Sequence, residues 1–293
     1  MYTFEFALQI LVNGLITGSI YVLVAMGLTL IFGILGVINF SHGEFYMLGG
    51  YLGVVASSAY GVPLLAALPL GMAGVALLGI AAERLVFRPI RDRDVTNSII
   101  SSFGLAVVLQ NAALLAFGPQ PQLIKTSLSS ISLSAFGVFV TFQRAAIPII
   151  TAILVILFHV VLRYTWTGRC LRAVAQHPTI AQLSGVDVNR VAVATFAMGA
   201  ALAGGAGLMM ASVFMVQPGV GNMITLKAFT VVIMGGMGNV HGAVVAGLLL
   251  GVAESFTSGY LTNDFRDIIG FMMVIMVLLF RPSGLFGRAV DRA

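Results

Sequence analysis

Charged side chains are scarce in this chain: Asp, Glu, Lys and Arg together make up 9% of its 293 residues. Soluble domains carry roughly 25%, so the sequence lacks the means to cover a water-facing surface. Lysine is nearly absent, with Lys125 and Lys227 alone, and neither stands in a G-x-x-x-x-G-K-[ST] phosphate loop. The chain is therefore expected not to hydrolyse ATP and not to be an enzyme. Aspartate pairs and nucleophile–base pairs are likewise missing from its apolar stretches. The single cysteine, Cys170, has no partner for an intramolecular disulfide. His42 and His241 lack a third ligand, which argues against a metal pair, and no cofactor is expected. The first apolar run has Glu5 before it rather than Lys or Arg and lacks an A-x-A-like end, so it reads as an uncleaved span, not a signal peptide.

What is abundant is apolar surface, 59% of the residues. Uncharged stretches run over Phe6–Ser41, Phe45–Ala82, Val95–Ile124, Ala145–Leu162, Val191–Leu226, Ala228–Ala253 and Ile268–Phe280. A helical span needs about 20 apolar residues. The runs are continuous rather than alternating, which excludes a β-barrel. The expected fold is an all-α, polytopic transmembrane bundle forming a single domain over 1–293, in contact with membrane lipid.

The net charge of +5 could suggest nucleic acid, but its distribution points to a membrane. Arg84, Arg88, Arg91 and Arg93 form one basic segment, Arg163, Arg169, Arg172 and Arg190 a second, and Arg281, Arg288 and Arg292 a third, together 11 of the 15 positive residues. Positively charged loops stay cytoplasmic, so all three are placed inside, no nucleic acid is expected, and Gly118–Ala145, with Lys125 and Arg144, is placed outside. Spans are expected near 8–33, 43–60, 64–87, 96–117, 146–163 and 191–214. Residue 215 is then outside and residue 281 inside, so an odd number of crossings lies between. Three are expected, near 225–238, 241–258 and 266–281, the first shortened by Gly235, Gly236 and Gly238. The total is eight to nine spans with interrupted helices, N-terminus outside and C-terminus cytoplasmic.

Glycine, with 34 residues, is abundant for helices. Gly14 and Gly18, Gly247 and Gly251, and Gly199, Ala203 and Gly207 form small-xxx-small ridges on which helices approach closely.

Polar residues within apolar runs mark a candidate pathway, because an intramembrane polar group is costly and faces the bundle interior. The first group is Asn39, Ser41, His42 and Glu44, with helix capping as the plainer reading of His42 and Glu44. Gln110 and Asn111 form a second group, or helix–helix glue. Asn239 and His241 enter through a weak echo between Gly36-Val-Ile-Asn39-Phe-Ser-His42-Gly43 and Gly236-Met-Gly-Asn239-Val-His241-Gly242. Lys227 is expected to snorkel to the outer surface, and Glu254 to pair with Arg266 or Lys227.

The most informative polar segment is 164–190. Arg169–Gln176 is a good helix former, and His177-Pro178 breaks it. Pro178 suits the first position of a new helix and Gly185 the position past its end. Thr179–Ser184 is thus expected to be a two-turn helix showing Ile180 and Leu183 on one side. Such a face, displayed in the cytoplasm, suits a groove on a partner protein or, alternatively, the headgroup surface.

Here the residues carry a resemblance. Arg169–Gly185, followed by Val186-Asp-Val-Asn-Arg-Val191, looks like the cytoplasmic coupling loop of ABC-importer permeases. Asn13-Gly-Leu-Ile-Thr-Gly-Ser-Ile-Tyr21 and Gly33-Ile-Leu-Gly-Val-Ile-Asn-Phe-Ser-His-Gly-Glu44 closely resemble the LivH-type permeases of branched-chain amino-acid importers. So do Glu83-Arg84 through Arg88-Pro89, Leu109-Gln110-Asn111, Lys227-Ala-Phe229 and Arg281-Pro-Ser-Gly-Leu285, nearly end to end. The family's second Gly-rich loop is usually Gly-Gly-x-Gly-Ser; here it is Met234-Gly-Gly-Met-Gly-Asn239. The resemblance implies an inner-membrane permease for branched-chain or related small amino acids, with ATPase coupling through Arg172, Pro178, Ile180, Leu183 and Gly185. It also implies a LivM-type second permease subunit, two ATP-binding subunits and a periplasmic substrate-binding protein. Urea, short amides or aromatic acids compete as cargo. An ion-coupled transporter or channel is the alternative of another class, disfavoured because it needs no docking helix.

Overall fold

The first helix, α1 (Phe4–Leu35), has 32 residues and so measures about 48 Å at 1.5 Å per residue, longer than a hydrocarbon core of about 30 Å. The structure, a computed structural model, describes residues 4–91, 93–124, 132–135 and 137–287. Lys125, Arg288 and Arg292, on which part of the charge argument rests, lie outside the described residues. Ten helices follow α1 among those described: α2 (His42–Tyr60), α3 (Leu64–Ala82), α4 (Val95–Phe117), α5 (Phe142–Tyr164), α6 (Trp166–Gln176), α7 (Pro178–Leu183), α8 (Val188–Ala211), α9 (Val220–Gly235), α10 (Val240–Tyr260) and α11 (Phe265–Phe280). A π turn over Glu83–Phe87 and a 3-10 turn over Arg88–Ile90 prolong α3. Among the described residues six helices are long and apolar enough to cross a membrane: α1, α3 with its extension, α4, α5, α8 and α10.

Two helices form the centre. The most apolar stretch of α1 is 78% buried and that of α8 72%, against 17% for α4, so α4 belongs to the outer shell. In lipid no hydrophobic force drives helices together, and close backbone approach supplies the dispersion contacts instead. The glycines sit where this happens. Gly14 and Gly18 pack antiparallel on Gly251 and Gly247: a Cβ on Gly14 would lie 2.7 Å from the Val252 Cα, and one on Gly251 would strike the Gly18 backbone. Two of the three ridges visible in the sequence are thus each other's partners, and Gly199 of the third lies against Gly27 of α1. On the opposite side Gly204 and Gly207 of α8 face Gly49 and the Tyr46 carbonyl of α2, with no room for any side chain.

The basic segments gather at one end of the bundle. Arg91 reaches Asn189 (2.9 Å), Gly33 lies against Gly238, and the chain after α11 bonds back to α9 through Leu285 N–H to the Met234 carbonyl (2.9 Å). At the other end Phe6 meets Tyr260 edge-on, and Gln122 pairs with Val216.

Two expectations are corrected. The fold is not wholly helical: β1 (Ser132–Ala135) and β2 (Val138–Thr141) form an antiparallel hairpin, Ser132 opposite Thr141, tied to α1 by Gln9, which donates to the Phe139 carbonyl (3.2 Å) and accepts from its N–H (2.8 Å). Nor does Lys227 snorkel to a surface. It is buried in an ion pair with Glu254 and pairs with Asp267 at 2.7 Å. Two carboxylates within reach hold the ammonium inside, where an unpaired charge would have to leave.

Candidate functional site

Gly36 ends α1 at φ +65°, and the chain turns back into the bundle before α2. In that turn Asn39 Oδ1 accepts from the Ser41 N–H (3.0 Å) and hydroxyl (2.6 Å). His42 donates Nε2–H to the Val24 carbonyl (3.1 Å). Its ring is walled in by Gly27 of α1, where a Cβ would come within 3.0 Å of it. Asn39, Ser41, His42 and Glu44 are all fully buried. Asn39 Nδ2, His42 Nδ1 and both Glu44 oxygens nevertheless have no hydrogen-bond partner among the described residues. Buried polar groups are normally paired, so this cluster of unmet donors and acceptors singles out the turn.

The turn is locked to α9 by Thr225. Its hydroxyl accepts from the Gly43 N–H (3.0 Å) and donates to the Gly221 carbonyl (2.8 Å). Phe40 stacks on Phe103 of α4, with ring centroids 4.3 Å apart, and leans on Phe229 of α9 at 4.7 Å. Ser102 of α4 accepts from the Phe40 N–H (3.1 Å). Between these elements opens a groove of about 400 Å³, walled by Phe40, Phe103, Gln110, Asn222, Thr225 and Leu226. Gln110 Oε1 accepts from Asn222 across it (3.4 Å). The groove offers aromatic and aliphatic walls with a few amide and hydroxyl groups, suited to a small molecule with an apolar side chain and a polar backbone.

The sequence candidates divide accordingly. The structure places Gln110 on the groove that Phe40 of the α1–α2 turn also lines, against Asn222 of α9. Asn111 lies apart, exposed, its amide donating to the Val107 carbonyl of its own helix (2.8 Å). Asn239 and His241 are at the Arg-rich end, the first at the N-cap and the second in the first turn of α10. Asn239 caps α10, accepting from the Gly242 N–H (3.0 Å), while its amide donates to the Phe286 carbonyl (2.7 Å). Asn is among the best helix caps, and Asn239 serves α10 in that way. The ring of His241 faces His159 at 5.6 Å. Thr225, Asn222 and the Phe40–Phe103–Phe229 stack were not anticipated. Only their assembly in space reveals them, since single aromatic and hydroxyl residues in apolar runs carry no distinctive spacing.

Segment 164–190 forms two helices. Thr165 caps α6, accepting from the Gly168 N–H (3.1 Å), and Arg172 donates to the Leu162 carbonyl. Leu171 and Val174 of α6, Ala181 of α7 and Val191 of α8 make a small core under it. α7 begins at Pro178 and is closed by Gly185 at φ +86°. Ile180 is 59% and Leu183 84% exposed, on a helix whose Ala181 is buried.

Helical packing of this kind, with six apolar spans and a buried charge network, defines a polytopic helical membrane protein. Residues 10–278 match the family described as branched-chain amino acid transport system / permease component, and the chain belongs to that family. It is 36% identical to the high-affinity branched-chain amino acid transport system permease protein LivH of Salmonella typhimurium, covering 97% of each chain. It is 35% identical to BraD of Pseudomonas aeruginosa, covering 96% of each. Identity to LivM of Escherichia coli is 27%, over 91% of this chain and 67% of that protein. Among solved structures, PsaBC from Streptococcus pneumoniae in complex with Fab aligns with a TM-score of 0.51 at 12% identity, covering 94% of this chain and 92% of that one. This likeness speaks to the fold alone.

Proposed function

We propose that this chain is the permease subunit of an ABC importer and passes branched-chain amino acids across the inner membrane. The observation that carries the reading is α7: a rigid two-turn helix at the Arg-rich end, with Ile180 and Leu183 bare of any cover, on a chain whose relatives are named as permeases of branched-chain amino acid transport. In this reading the Arg-rich end is cytoplasmic, the N-terminus is outside, and α1–α5 and α8–α11 make nine crossings of one domain. Segment 164–190 docks an ATP-binding subunit through Arg172, Pro178, Ile180, Leu183 and Gly185. A second, LivM-type permease, two ATP-binding subunits and a periplasmic binding protein complete the machine. Similarity to both LivH and LivM supports pairing of two related permeases.

The cargo passes along the groove of Phe40, Phe103, Gln110, Asn222 and Thr225. The buried polar turn of Asn39, Ser41, His42 and Glu44 lies behind it and supplies hydrogen-bonding groups when the helices separate. The apolar walls suit Leu, Ile and Val better than urea or short amides, which have no side chain to place there. The test is uptake by the full complex in proteoliposomes, with leucine, valine, urea and phenylalanine each offered with ATP. Leucine and valine should accumulate. Accumulation of urea alone would overturn the cargo assignment, and accumulation of leucine without ATP the importer assignment.

A further inference from the structure

The strongest unassigned feature is a charged knot beneath the proposed coupling loop. Glu83 opens the π turn that ends α3 and is wholly buried, yet it holds two arginines: Arg88 at 3.1 Å and Arg91 at 2.5 Å. The other arm of Arg91 donates to Asn189 Oδ1 at 2.9 Å. Asn189 stands in the first turn of α8, and its N–H donates to the cap Asp187 (2.9 Å). Gly185 lies just before that cap and closes α7. Arg91 thus bridges the start of α8, directly behind α7, to the connection between α3 and α4.

That connection leads to the most loosely held helix of the pathway. The main packing partners of α4 are α2 and the π turn. Its outer face is largely bare, and its Phe103 and Gln110 form one wall of the groove. π turns are rare and recur at functional sites, and this one, Glu83–Phe87, stands between α3 and the start of α4. We infer that Arg91 is a positioning residue that carries displacement of α7 through Asn189 to the α3–α4 connection, and so moves α4 and its groove wall. The inference rests on α7 being the docking element. As α7 is pulled, the first turn of α8 moves with it. Arg91, fixed on its other side to buried Glu83, makes the start of α4 follow. Without the bridge α8 still moves, but α4 is left behind and the groove stays shut.

The test uses the complete complex in proteoliposomes, with Arg91→Met and Asn189→Leu made singly and together. Each should leave the ATPase rate near wild type and lower amino acid taken up per ATP about tenfold, equivalent to about 1.4 kcal/mol on the conformational step. The pair should be no worse than Arg91→Met alone, because Asn189→Leu removes only a contact that Arg91→Met also removes. Spin labels at Val107 and Leu226, across the groove in a Cys170→Ser background, should report an ATP-dependent distance change in the parent that Asn189→Leu abolishes. Asn189→Leu keeps the Glu83–Arg91 pair, so it decides the matter if Arg91→Met assembles poorly. A wild-type uptake ratio in Asn189→Leu, or additive losses in the double variant, would overturn the relay. The pair Ile180→Asp and Leu183→Asp separates the two readings: ATPase subunits still bound to it would overturn docking through α7, whatever Arg91 does.

Discussion

Lys227 of α9 and Glu254 of α10 form an ion pair inside the bundle, extended by three neighbours. Tyr21 of α1 donates its hydroxyl to Glu254 (2.7 Å). Arg266 of α11 pairs with the same carboxylate (2.9 Å), and Asp267 takes the far side of Lys227 (2.7 Å). Four helices are thereby tied at one point, with two cations set against two carboxylates. Removing one partner of a buried pair is costly because it strands the other, whereas removing both is far milder. Glu254→Gln should therefore lower stability by about 3 kcal/mol. Lys227→Met combined with Glu254→Gln removes both buried charges, leaves only the part-exposed Arg266 and Asp267, and should regain much of the loss. Thermal unfolding of the purified complex in detergent checks this; a double variant less stable than Glu254→Gln would refute it.

The glycine contacts make a sharper packing prediction. Gly207→Val places a side chain against the Tyr46 carbonyl and should cost about 3 kcal/mol through displacement of α2, seen as low yield of assembled complex. Gly104 of α4, with open space around its Cβ position, is the control. Gly104→Ala should be neutral or stabilising by up to about 1 kcal/mol, since Ala is the better helix former.

At Gly185 the obstacle is backbone alone. Its φ is +86° and nothing lies within 4 Å of a Cβ built there. Gly185→Asn, which tolerates positive φ, should keep most uptake, and Gly185→Val should lose it while the ATPase still turns over. Equal uptake by the two variants, measured per ATP hydrolysed, would show that the closure of α7 is not used.

Sidedness follows from the charges. A cysteine at Leu183 should react with an impermeant maleimide only after the inside is opened, and one at Tyr60 from the outside of intact cells. Labelling of Leu183→Cys in intact cells would invert the whole topology.

Much of this was legible in the sequence because lipid imposes simple rules. Continuous apolar runs separated by arginines placed every long helix to within a few residues, and the short segment expected near 225–238 is α9, Val220–Gly235. The three small-residue ridges were visible, though not that those of α1 and α10 pack on each other. Pro178 and Gly185 marked the ends of α7 because both act locally on the backbone. What was not legible depends on partners distant in the chain. Lys227 stays buried because Asp267 lies 40 positions away on α11. Gln110 faces the groove and meets Asn222 while adjacent Asn111 points outward, since one residue turns a helix by about 100°. The hairpin escaped notice because its strands are four residues each, too short to show alternation against an apolar background.

If α7 presents this chain to an ATP-binding subunit, Leu183 lies within cross-linking reach of that subunit. Cys170, the single cysteine, is replaced by Ser, and one cysteine carrying a photoactivatable cross-linker is placed at Leu183 in the assembled complex. A covalent adduct with an ATP-binding subunit is expected, at a yield that changes between ATP-bound and nucleotide-free states. An adduct with lipid alone, or none in either state while leucine uptake is normal, would contradict it.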